Sequence, residues 1–182
     1  MNTTSIDLSE VRRWLLQANF APILEIARSK KHILSLLTAL TFDPDPEVSA
    51  RSISASGLVA QIIADRDPKY VRNYLLRLFW LLNDESGGIC WRAPELIGEI
   101  LYYCPGFEQF FSMLISLLNL EIEDRPRFLT GTLWAIGRVA QTKRLAMLPA
   151  ILKVQACLQT IDEQPAREMA AWCMQQLASV DR

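Results

Sequence analysis

Three glycines, Gly57, Gly98 and Gly137, stand 41 and 39 residues apart, each inside a stretch whose apolar residues recur every three or four positions. Glycine inside a helix destabilises it unless something else needs the space. Helices of successive repeats approach closely only where no bulky side chain intervenes, and a small residue at a fixed period meets that need. A period of this size points to an array of helix hairpins. A further step of 36 lands on Cys173, inside the last amphipathic stretch. Arg51 and Arg92 each precede their glycine by six residues, and Arg167 precedes Cys173 by six. Gly131 takes that slot in the third repeat, with Arg127 one turn earlier.

No segment of strict apolar–polar alternation bounded by turn residues competes with the helical spacing, so the expected class is all-α. The breaks fall at Pro22, Asp43–Pro46, Asp67-Pro68, Asp84–Gly88, Pro105-Gly106, Asp124–Pro126, Thr142 and Asp162–Pro165. Asp followed by Pro starts a helix, because the carboxylate caps free amides and proline has no amide to leave unpaired. The breaks delimit about nine short helices. They read as a single domain, 1–182, with an N-terminal cap (1–28) and repeats at 29–64, 69–103, 107–140 and 143–178. Each repeat pairs an outer helix with an inner one: Ser29–Phe42 with Pro46–Ala64, Lys69–Leu82 with Ile89–Tyr103, Phe107–Leu118 with Pro126–Ala140, and Lys143–Leu158 with Pro165–Ala178. Pro94 and Pro149 then fall inside helices, where kinks are expected.

Asp45-Pro46-Glu47-Val48, followed by Arg51 and Ala55-Ser56-Gly57, resembles the short HEAT-like repeats shared with phycobilin-lyase-type proteins. The third repeat is similar through Phe128, Ala135, Ile136 and Gly137, and the second through Ile89, Ile97 and Gly98; the fourth lacks the glycine. The resemblance spans Leu36 to Leu177. It implies a right-handed α-solenoid of about four helix-hairpin repeats plus the capping segment. Through the lyase-type relatives it also implies, as an alternative function, an enzyme or enzyme subunit and, ranked below that, nucleic-acid binding of the kind seen in HEAT-like base-repair proteins.

Charge and cysteines limit the partners. The 19 basic and 20 acidic residues give a net charge of −1, spread evenly as 10 against 10 up to Trp91 and 9 against 10 beyond it. Neither half carries the basic excess that nucleic acid demands, so no nucleic-acid partner is expected. Cys90, Cys104, Cys157 and Cys173 have neither zinc-site spacing nor the density of a disulfide scaffold, and are expected reduced and buried. The first thirteen residues lack a signal peptide's basic-then-apolar order, and no apolar run is long enough for a bilayer. The expected location is the cytoplasm, with no membrane partner.

Chemistry has few carriers. The one histidine, His32, sits at a charged helix start, as an ordinary exposed residue would. Glu95 and Glu99 share a helix face at four-residue spacing, and with Arg92 three residues before Glu95 they read as a surface ion-pair ladder. The Asp84-Glu85-Ser86-Gly87-Gly88 turn lacks the lysine and spacing of a phosphate loop, and its acidic pair would repel phosphate. Of Trp14, Trp80, Trp91, Trp134 and Trp172, most are expected in the core, with Trp134 on the inner face beside Arg138. No catalytic residue, cofactor or metal ligand is expected.

The expected function is therefore that of a non-enzymatic protein-binding module or scaffold. Its concave face would carry Arg51 with Ser54, then Arg92, Glu95 and Glu99, then Arg127, Trp134 and Arg138, then Arg167. The partner is a protein of unspecified identity, and a homodimer is compatible with the same reading. An enzyme would differ by a pocket lined by Cys90 or Trp91 with a polar cluster.

Overall fold

The structure, a computed structural model, describes residues 6–82, 90–119 and 125–179, and these are helices joined by turns, with no strand among them. The Ser86-Gly87-Gly88 turn, the start proposed at Ile89, Asp124 and the side chain of Arg127 lie outside what is described. The chain divides into two compact units, Met1–Asn73 and Tyr74–Arg182, with the boundary inside helix α5 (Pro68–Trp80).

The first unit holds α1 (Leu8–Leu16), α2 (Ala21–Ala27), α3 (Ile33–Leu40) and α4 (Pro46–Ala64). Asp7 and Asp45 begin α1 and α4 by accepting bonds from the amides two residues on, at 3.1 and 2.9 Å. Proline follows Asp45 at the first helical position, as the local chemistry dictates. α1 ends on Ala18, whose φ of +52° is the left-handed conformation usually left to glycine. Asn19 donates back to the Trp14 carbonyl and Ala18 to that of Leu15, closing the helix in a Schellman turn and separating α1 from α2.

α4 packs against α1, α2 and α3, burying Val48, Ala55, Val59 and Ile63 with Val11, Leu15, Ile23, Ile33 and Leu37. Arg51 donates to the Leu15 and Leu16 carbonyls at 2.9 and 2.8 Å, and Arg66, just beyond α4, donates to those of Ala27 and Arg28. The cations thus satisfy carbonyls that helix ends leave open, at the negative pole of each dipole. Arg12 pairs with Asp43 at 2.7 Å, and Lys31 pairs with Asp67.

The second unit holds the end of α5, then α6 (Ala93–Tyr103), α7 (Phe111–Ser116), α8 (Arg125–Met147), α9 (Ile151–Thr160) and α10 (Gln164–Ala178). α8 lies between α6 and α10, with α7 against α8 and α9 against α10. Gly98 of α6 and Ala135 of α8 explain the close approach, since a Cβ at Gly98 would stand 2.7 Å from the Ala135 Cα. Gly137 does the same for α10, where the ring of Trp172 lies against it. Gly57 is buried in α4.

Neither Pro94 nor Pro149 kinks a helix. α6 begins at Ala93, so Pro94 is in its first turn, where a missing amide costs nothing. α8 instead breaks at Lys143 (φ −135°, ψ 44°), and Pro149 sits in the 3-10 turn Leu148–Ala150 before α9.

Candidate functional site

The outward side of α8 follows from its contacts. Gly131 faces Glu95 of α6, and Arg138 faces Glu99, also of α6. On the other flank Gly137 faces Trp172 and Gln141 faces Gln176, both of α10. At 100° per residue, Gly131 and Arg138 mark one edge of an arc and Gly137 and Gln141 the other. Trp134 falls midway between them and is half-exposed, as is Trp172 beside it. The result is a strip across three helices: Arg92, Glu95 and Glu99, then Trp134, Arg138 and Gln141, then Trp172 and Gln176.

Its charges are paired within the strip. Arg92 donates to Glu95 at 2.9 Å, while Arg138 donates to both Glu99 oxygens at 3.3 Å and to Gln141 at 2.7 Å. The Arg138 guanidinium also lies 3.5 Å from the Tyr102 ring centre. The carboxylates are not the surface ladder expected of them. Glu95 is 8% exposed and Glu99 3%, because Gly131 leaves a notch for the first and Arg138 reaches over the second. A Cβ at Gly131 would stand 2.6 Å from Glu95 Oε2. Burial pushes the Glu99 carboxyl up from its ordinary value, although Arg138 opposes the shift.

The remaining predicted residues lie elsewhere. Arg51 belongs to the first unit, occupied by the end of α1 and by Glu47. Arg167 donates to the Ile161 carbonyl at 3.1 and 2.7 Å, and lies five residues from Trp172, well over a third of a turn off the strip. The charge and tryptophan pattern does not mark Trp172, Gln141 and Gln176 as binding residues. A 35-residue step from Gly137 and Gln141 finds Trp172 and Gln176.

Trp80, expected in the core, is 63% exposed at the end of α5. His32 is exposed. All four cysteines are free and buried, and burial pushes the Cys173 thiol up to about 12. Among the described residues no cluster of three or more His, Cys, Asp or Glu is placed to hold a metal ion, and no helix is long and apolar enough to cross a membrane. Cys90 is buried and Trp91 half-exposed at the foot of α6.

No protein-family model matches the sequence. A protein of Archaeoglobus fulgidus, described only as uncharacterized, is similar at 37% identity over 93 residues, 50% of this chain and 49% of that protein. The chain therefore spans about half the length of the curated relative it matches.

Proposed function

We propose that the protein is a binding module, a HEAT-like α-solenoid without enzymatic activity of its own, which holds a protein partner on the strip across α6, α8 and α10. The observation that carries this reading is Trp134, half-exposed at the centre of the outward arc of α8 and flanked by fixed ion pairs. Tryptophan and arginine contribute most often to binding energy at protein interfaces. Here the arginines are already held by Glu95 and Glu99, so little side-chain freedom is lost when a partner arrives. Helix pairs α7–α8 and α9–α10, with α6, α8 and α10 side by side, support the repeat reading. The glycine contacts at Gly98 and Gly137 support it as well.

The test is affinity capture from the native host, identification of the retained protein, and titration of that purified protein against wild type and Trp134→Ala. The expected result is at least a tenfold loss of affinity per folded molecule, on the scale of an interface hot spot. Unchanged affinity in the variant would remove the strip from consideration. A collapse of thermal stability with binding retained by the folded fraction would make Trp134 a packing residue instead.

A further inference from the structure

Where α8 breaks at Lys143, the second unit opens a cavity of about 330 Å³, lined by Glu108, Phe111, Ala140, Thr142, Lys143, Arg144, Leu145 and Ala146. Its size is at the lower end of what small-molecule sites occupy. Phe111, Ala140, Leu145 and Ala146 supply apolar wall. The charged residues at it are two cations and one anion.

Arg144 is the unexplained member. Its Nε is buried and has no hydrogen-bond partner, although a buried guanidinium nitrogen ordinarily finds an acceptor. Lys143 is only loosely engaged, its Nζ lying 3.4 Å from the Tyr102 carbonyl oxygen. Glu108 does not fill the need of Arg144. Its carboxylate accepts from the Gly106 amide at 3.2 Å, and its own amide, that of Gly106 and nearby Lys143 hold it below the usual carboxylate range.

We infer that this cavity is a binding site for a small monocarboxylate with an apolar body, whose carboxylate is taken by Arg144 and Lys143 and whose body lies against Phe111 and Leu145. The charge balance selects the ligand class. Lys143 and Arg144 against Glu108 leave one net positive charge, which matches a single carboxylate, whereas a phosphate dianion is over-charged for the site. An oxyanion here accepts from the Arg144 guanidinium and the Lys143 ammonium at the cavity wall, and bonds between guanidinium and carboxylate are the strong, charge-assisted kind. The break in α8 is what creates the space, because a continuous helix would carry Lys143 and Arg144 round with its regular turn.

The experiment titrates the full chain with sodium hexanoate, hexan-1-ol and inorganic phosphate, following binding by calorimetry and thermal melting. Saturable hexanoate binding with a rise in Tm, and no saturable binding of hexan-1-ol or phosphate, is the expected result. Arg144→Gln weakens hexanoate binding about tenfold or more, and Arg144→Lys recovers part of the loss. Ala146→Trp, at an exposed position on the rim, blocks the cavity with both cations intact and abolishes binding, so the inference does not depend on one variant folding. No hexanoate binding, equal binding of hexan-1-ol or phosphate, or hexanoate affinity unchanged by Arg144→Gln or Ala146→Trp would overturn it.

Discussion

The same residue type does opposite things at two positions of the second unit. At Gly98 a Cβ would strike the Ala135 backbone at 2.7 Å, and backbone cannot turn aside. At Gly131 the obstacle is the Glu95 carboxylate at 2.6 Å, the end of a flexible side chain. Alanine gains about 1 kcal/mol over glycine in a helix interior, and overpacking costs about 1–3 kcal/mol. Gly98→Ala should therefore lower stability by up to about 2 kcal/mol, whereas Gly131→Ala should stay within about 0.5 kcal/mol of wild type while Glu95 swings off Arg92. Urea denaturation of both variants checks the pair, and equal losses would show that Glu95 is as immovable as backbone. The close approaches at Gly98 and Gly137 were legible in the sequence because such contacts leave little room for a side chain. What Gly131 accommodates was not, since the burial of Glu95 and Glu99 depends on residues 36 and 39 positions away. Charge at four-residue spacing reads as surface until the facing helix is known.

Element boundaries separate into those fixed by local chemistry and those fixed by packing. Asp45-Pro46 and Asp67-Pro68 were readable because a carboxylate and a ring act within one turn, and Asp67 Oδ1 does accept from the Tyr70 amide at 3.0 Å. The sequence reading starts this helix at Ile89, directly after Gly87-Gly88, whereas α6 begins at Ala93, and Ala93-Pro94 is itself a first-turn sequence. The exposure of Trp80 was illegible for another reason. Residues 78–82 are apolar all round the helix, so their sequence names no inward face, and Leu75, Leu78, Phe79 and Leu82 take it. The end of α1 carries a prediction of its own. Ala18 adopts φ +52° with its side chain exposed, a conformation that costs an L-residue about 1–2 kcal/mol and glycine nothing. Glycine's larger unfolded-state entropy returns about 0.4–1 kcal/mol of that. Ala18→Gly is thus expected to stabilise the protein by about 0.5–1 kcal/mol, seen as a higher urea midpoint with unchanged slope. A lower midpoint would mean that the Schellman turn is not the conformation that ends α1.

At the scale of the whole molecule the charges nearly cancel, 19 against 20, and pH acts through a few groups moved in opposite directions. Arg12 holds the Asp43 carboxyl below its ordinary value of 3.8, and Lys31 does the same for Asp67. A depressed carboxyl contributes stability that is present above its unfolded value and lost as pH falls through the folded one. Glu99 is the reverse case. Burial raises it above 4.5, so its contribution is complete below 4.5 and lost as pH rises through the folded value. On acidification from neutrality, wild type should first gain stability as Glu99 takes its proton. It should then lose stability below pH 3.8, when the paired aspartates are protonated. Glu99→Gln cannot take that proton, so the first gain is absent in the variant and the acid loss remains. Urea midpoints of both proteins, measured in steps from neutral pH down to the acid transition, decide the matter. A wild type that gains nothing over Glu99→Gln between neutrality and pH 4.5, and loses stability relative to it below pH 4.5, would mean that attraction to Arg138 outweighs burial. The strip would then be held by an ion pair stronger than its desolvation.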